Sequence, residues 1–308
     1  MKFNLTIEHE VSPASLLFKA SYVGNLGRRV DTTVDLNLPF PGAGAINPRR
    51  PFFGVRPGLA GITYALSDGL SSYHSFQFSA EKRLSHGLGF LGAYTWGHSI
   101  DNVGTSFGGG ADGPVPQDLR NRRADRGNSP FHHRQRFTLG GNYQLPFGKG
   151  RPFLNRGGLV NAILGDWQLN GSTAMQTGLP FTPTLASATA NTGSGSRPNR
   201  TGNGRIENPG PARWFDVTAF GTPAQFTFGN AGRNILEGPG RVNFDFSLFK
   251  SFQVTEQVKV QFRAEFFNAF NTPQFDLPNA TIGTGPAGTI TSIVGIPRQI
   301  QFGLKIMF

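Results

Sequence analysis

The sequence predicts an all-β fold, a transmembrane antiparallel β-barrel present here in part, as about nine strands. Three observations lead there. Apolar and polar residues alternate with period 2 in stretch after stretch, connections alternate between short and long, and aromatic residues gather at strand ends. Composition agrees with this reading. The 308 residues include 29 Phe, 42 Gly and 22 Pro, and only 15% are charged. So many aromatics argue against disorder, and so much Gly and Pro against long helices. Cysteine is absent, which removes disulfides and thiolate metal sites. The net charge of +11 suits a polyanion, but it is spread over Gly/Pro-rich segments with no nucleic-acid motif beside it. No nucleic-acid partner is therefore expected.

Alternation is cleanest at the end of the chain. Over 299–308, Ile300, Phe302, Leu304, Ile306 and Phe308 share one face, opposite Gln299, Gln301, Gly303, Lys305 and Met307. Over 258–266, Val258, Val260, Phe262, Ala264 and Phe266 oppose Lys259, Gln261, Arg263 and Glu265. Similar stretches are 3–8, 14–23, 72–83, 87–97, 134–146, 165–177 and 242–252, which makes nine strands. Between them, 9–13, 84–86 and 253–256 are short, and 147–164 is of intermediate length on the same side. The segments 24–71, 98–133, 178–241 and 269–298 are long and rich in Gly, Pro, Asn and Arg. An outer-membrane barrel has this asymmetry, with short periplasmic turns and long external loops.

If the last strand ends in the periplasm, all odd-numbered strands run inward, the first included. Closed bacterial barrels have an even strand count. The start, Met1-Lys2-Phe3-Asn4-Leu5-Thr6-Ile7-Glu8, alternates where a signal peptide would be continuously apolar. Both signs lead us to expect one domain over 1–308 that is the C-terminal part of a longer barrel. No stretch of 18 apolar residues is present, so no membrane-spanning helix is expected.

The apolar faces admit two readings, hydrocarbon or the core of a soluble or surface-exposed β-sandwich acting as an adhesin-type binding module. Charge and aromatic placement favour hydrocarbon. Lys259 and Arg263 lie on the polar face, where each avoids a penalty of ~2–4 kcal/mol at the bilayer midplane. Lys82 and Lys250 have apolar-face parity but fall at periplasmic strand ends, where a long stem can reach the headgroups. Tyr22, Tyr94 and Trp96 mark the external ends, and Trp167, Phe252 and Phe308 the periplasmic ones. Lipid and lipopolysaccharide of the outer membrane are the partners this implies.

The stretch Phe262-Arg263-Ala264-Glu265-Phe266-Phe267-Asn268-Ala269-Phe270-Asn271, followed by Pro273 and Phe275, resembles the penultimate strand of Oar-like TonB-dependent transporters. Pro297 to Phe308 is similar to that family's ending. Further matches are Arg134-Gln135-Arg136-Phe137, Leu145-Pro146-Phe147-Gly148-Lys149-Gly150, Trp167-Gln168-Leu169, Gly178-Leu179-Pro180-Phe181 and Phe228-Gly229-Asn230-Ala231-Gly232-Arg233. The resemblance covers most of 70–308. It implies a 22-stranded barrel, of which these are the last nine strands, and a plug through which an inner-membrane energy-coupling complex drives uptake of a large or scarce solute. It also implies that Phe308 belongs to a terminal signal read by the barrel-assembly machinery.

Catalytic chemistry finds little footing. The six histidines His9, His74, His86, His98, His132 and His133 form no i, i+4 pair around a Glu, so no zinc site is expected. His132 and His133 read as solvated loop residues. Gly193-Ser194-Gly195-Ser196 is no nucleophile elbow but a flexible low-complexity loop, and Gly108-Gly109-Gly110 is a loop tip. Neither an enzyme nor a cofactor is expected. Two sets of candidate site residues remain. Arg120, Arg122, Arg123 and Arg126, followed by Arg134 and Arg136, form a basic external loop suited to an anionic ligand or lipopolysaccharide phosphates, or simply to ion pairing within the loops. Lys259, Gln261, Arg263 and Glu265 face the lumen, where they meet a plug, a substrate or water. Asn268 and Asn271 read as turn residues.

Overall fold

The computed structural model describes residues 1–103, 116–155 and 158–308; Gly108–Gly110 lies outside the described residues. Nine long strands form one sheet in chain order: β1 (Lys2–Val11), β2 (Leu16–Asp35), β3 (Thr63–Ser85), β4 (Leu88–Asp101), β5 (Gln135–Gln144), β6 (Trp167–Gln176), β7 (Arg241–Gln253), β8 (Lys259–Phe267) and β9 (Gln299–Met307). Each is antiparallel to the next. A two-residue strand, Gly127–Asn128, adds to the outer end of β4.

The register keeps one parity across the whole sheet. Tyr94, Phe137, Met175 and Val242 lie in one cross-strand row, and Leu248, Ala264 and Phe302 in another. The alternate rows are polar: Asn142, Asn170, Ser247, Glu265 and Gln301 are successive partners. A slip of one residue in any strand would turn its apolar set to the wrong side. The apolar face is bare: Leu5 is 67% exposed and Phe302 and Leu304 are each 68% exposed. Among the described residues, the only other sheets are two-residue pairs in the loops. A β-sandwich would bury these rows against a second sheet, so that alternative is set aside.

All four long connections, 36–62, 102–134, 177–240 and 268–298, leave the same end of the sheet, and the short ones leave the other. The β3–β4 turn is two residues, His86 and Gly87, with φ of 50° and 83°. That doubly left-handed geometry matches the strand twist and favours glycine at the second position. Lys82 donates from Nζ to Ala14 O (2.8 Å) and Ser85 Oγ (2.7 Å). Lys250 donates to the carbonyls of Asn161 (3.3 Å) and Gly165. Both lysines therefore satisfy turn backbone at the short-turn end, where the sequence suggested headgroups.

Two strands outrun their expected bounds. β2 continues to Asp35 and β3 begins at Thr63, while the sequence suggested a loop from 24 to 71. A barrel strand needs about 9–11 residues to span the bilayer, so a ribbon of β2 and β3 stands beyond it, with Thr32 and Val34 buried beneath the long connections. There the apolar alternation lapses. Register shifts at Arg28/Val30 and Val30/Thr32 bend the ribbon.

Placing Arg at Phe302, mid-strand on the bare face, should lower stability by about 2–4 kcal/mol. Gln301→Arg, on the opposite face beside Glu265, should change it by less than about 0.5 kcal/mol. Urea unfolding in phospholipid vesicles measures both.

Candidate functional site

Of the twelve well-buried apolar residues among those described, only Val34 and Ala264 belong to long strands. The rest lie in the long connections, which fold into a layer with its own core. Phe181, Phe215, Phe220, Leu236 and Ile282 form its centre. Phe215 packs on Phe181 (5.5 Å) and edge-on against Phe220 (6.0 Å). Short pairings tie the layer together: Pro180–Phe181 with Leu236–Glu237, Asn199–Arg200 with Phe220–Gly221, and Thr184–Leu185 parallel to Thr281–Ile282. Ser196 within the expected flexible Gly/Ser loop is buried, as is Arg197 after it. That segment is a packed strap.

One buried ion pair fixes the layer to the polar face of the sheet, and a second joins two of the layer's own connections. Arg233 pairs with Asp101 at the end of β4 and donates to the carbonyls of Asp101 (3.0 Å), Val103 (3.2 Å) and Asp125 (2.8 Å). Arg197 donates to Asp125 Oδ1 at 2.9 Å and to Ala124 O at 2.9 Å. Burial raises the Asp125 carboxyl above its usual value, with Arg197 and then Arg122 pulling the other way, and burial lowers Arg197. Ser99 and Ser129 share a buried hydrogen bond of 2.8 Å. Asp101 and Ser99 have the parity of the polar face, so the layer lies over the side of the sheet away from the apolar rows.

Residues 1–301 match the family model for an outer membrane beta barrel domain. The chain belongs to that family. It is an outer-membrane protein, its apolar rows face lipid and its long connections are external. No curated protein sequence matches this barrel chain. Its fold is similar to that of FpvA from Pseudomonas aeruginosa, solved with a pyoverdine–iron complex (9% identity, TM-score 0.47). It is also similar to BauA, the ferric preacinetobactin receptor of Acinetobacter baumannii (12%, 0.47), and to the outer membrane transporter YddB of Escherichia coli (9%, 0.49). Each comparison covers 99% of this chain and 26%, 29% and 32% of the respective partner, so the chain spans between a quarter and a third of their lengths.

The barrel separates the four candidate loop arginines into two kinds. Arg120 is committed: it bonds Asp118 Oδ1 at 2.8 Å, reaches the carbonyls of Leu38 and Pro39, and lies 4.3 Å from the Phe40 ring centre. Arg122 grips Asp68 on β3 through two bonds of 3.2 and 3.3 Å. Arg123 and Arg126 are exposed, with no ion pair or side-chain hydrogen bond to another described residue. Arg134 is also exposed, at the margin of a cleft of about 380 Å³ lined by Arg205, Trp214, Phe215 and Glu237. Lys259, Gln261, Arg263 and Glu265 share one face of β8, opposite the apolar rows. Arg263 donates to Gln261 Oε1 (2.9 Å) and lies 4.7 Å from the Phe249 ring centre. Phe308 follows β9 at 98% exposure, in line with the apolar row.

Asn268 and Asn271 are turn residues, with φ of 46° and 53°. Asn268 bonds the backbone of Thr272 and Ile296, and Asn271 Oδ1 accepts from Arg298 N. The expectation of a solvated His132 fails. The residue is 6% exposed, and its ring centre lies 5.0 Å from that of His98. Burial first, then His98, Arg134 and His133, lower its pKa to about 4. Neither composition nor spacing in the sequence marks Arg197 and Arg233 as the buried clamps. Two isolated acids, Asp101 at a strand end and Asp125, are the only trace they leave there.

Arg197→Met strands the Asp125 carboxylate and should cost the loop layer about 3–5 kcal/mol, read as faster proteolysis of the external segments. The paired change Arg197→Met with Asp125→Leu should recover most of it. His132 is neutral when folded and ordinary when unfolded, so the unfolded layer binds more protons between pH 6.5 and about 4. Loop stability should be full above pH 6.5 and fall as pH drops towards 4. Hydrogen exchange of Ser99 and Ser129 amides measures it, and His132→Phe should flatten the profile.

Proposed function

We propose that the chain supplies the last nine strands of a 22-stranded TonB-dependent transporter barrel, whose full-length form takes up a large or scarce anionic solute. The observation that carries this reading is a folded external layer anchored over the polar face, with Arg123 and Arg126 exposed at its surface and paired with no other described residue. A closed small barrel or a passive pore has no need of a packed outer layer that buries three phenylalanines and two arginine–carboxylate pairs. Unpaired guanidinium groups are suited to carboxylate, phosphate or catecholate oxygens. Lys259, Gln261, Arg263 and Glu265 then line the path below, facing a plug moved by the inner-membrane energy-coupling complex. Phe308 serves the barrel-assembly machinery. The solved ferric siderophore receptors are consistent with solutes of this size and charge, and lipopolysaccharide phosphates are the other anions within reach of the loop.

The test is uptake of labelled ferric chelates and anionic oligosaccharides by cells carrying the full-length protein. Arg123→Gln together with Arg126→Gln should weaken capture about ten- to a hundredfold, the loss of one to two charge-assisted hydrogen bonds, without altering the protease resistance of the loops. Unchanged uptake of every solute that the unaltered protein imports overturns the capture role.

A further inference from the structure

The one short-side connection of any length, 145–166, carries a helix, α1 (Leu159–Leu164). Its sequence, Leu-Val-Asn-Ala-Ile-Leu, has no charge, and its apolar residues turn outward: Leu159 is 81% and Ile163 64% exposed, with Val160 and Leu164 also exposed. Six residues cannot hold a helix in water by themselves, so its position comes from the sheet. Trp167 Nε1 donates to Ile163 O at 2.8 Å, and Lys250 Nζ donates to Asn161 O and Gly165 O. Trp167 and Lys250 are cross-strand partners in the apolar rows. The helix is thus held against the lipid-facing side of the wall, at its periplasmic rim.

We propose that α1 is an interfacial anchor, lying in the headgroup and acyl boundary of the periplasmic leaflet with Leu159 and Ile163 among the lipid chains. Its occupant is phospholipid because the helix continues the apolar band already given over to hydrocarbon. The exposed Lys149, whose amide bonds Asn161 Oδ1 at 2.7 Å, lies beside anionic headgroups. A peripheral helix of this kind sinks its apolar face by roughly 5–10 Å. Lys250 leaves none of the helix's C-terminal pull on it to water: it is 2% exposed beneath the helix. This inference rests on the barrel fold and not on the transport reading.

These 308 residues have no cysteine, so once any cysteine elsewhere in the full-length protein is replaced by Ser, Leu159→Cys and Ile163→Cys each give a unique label site on an exposed position. The full-length protein carrying a nitrobenzoxadiazole probe at either site is reconstituted in phosphatidylethanolamine–phosphatidylglycerol vesicles, and heat-modifiable gel migration confirms folding. Glu256→Cys, in the exposed turn 254–258, is the control. A nitroxide near the glycerol end of the acyl chain should quench both α1 probes at least about twofold more than one near the terminal methyl, and should leave the control unquenched. Water-like emission from the α1 probes overturns the proposal. So does blue-shifted emission that no lipid nitroxide quenches, which would assign the surface to a protein partner.

Discussion

The structure depends on side-chain parity in a single sheet. Nine strands agree, residue by residue, on which side chains face an apolar solvent and which face water, and the hydrogen-bond register locks that agreement in place. A charge on the wrong side costs more than most single interactions contribute, so Arg263 and Glu265 fix their strand as firmly as Phe262 and Phe266 do. The two lysines that break parity, Lys82 and Lys250, are the exceptions that the physics allows. Each sits at the rim and spends its donors on turn carbonyls.

The external layer obeys the opposite rule. It lies in water and is organised like a small soluble domain, with aromatic residues inside and ion pairs at its base. Arg233 and Arg197 are buried, which is costly for a cation unless every donor is directed at an acceptor. Arg233 meets that condition through three carbonyls and a carboxylate. The Asp125 cluster meets it less fully, since Asp125 Oδ2 and Arg122 Nη1 stand 3.8 Å apart without a hydrogen bond. Such a base orients the layer on the wall more than it stabilises it.

The strands were legible because lipid imposes a strict period, and all nine were found at close to their observed bounds wherever the wall is in the membrane. Legibility stopped where that solvent stops. Residues 24–35 and 63–71 remain in strands but show no alternation, because no lipid faces them and only single positions such as Thr32 and Val34 are covered, by the loop layer. The loop core could not be read either. Phe181, Phe215 and Phe220 are far apart in sequence and sit among Gly, Pro and Asn, so no period links them. Among the loop arginines, spacing alone gave Arg120, Arg122, Arg123 and Arg126 equal standing, and only tertiary partners such as Phe40 and Asp68 separate the committed from the free.

The tall ribbon of β2 and β3 sets the depth of everything outside the membrane. From Tyr22 to Asp35, at about 3.3 Å per residue and a tilt near 40°, it rises roughly 30 Å. Arg49 ties the crown of that ribbon to Asn191 (2.7 Å), and Arg120, in the connection after β4, ties it to that connection through Leu38 and Pro39. The headland so formed is about as deep as the hydrocarbon itself. Folded polypeptide thus stands about as far out from the bilayer surface as the hydrocarbon is thick.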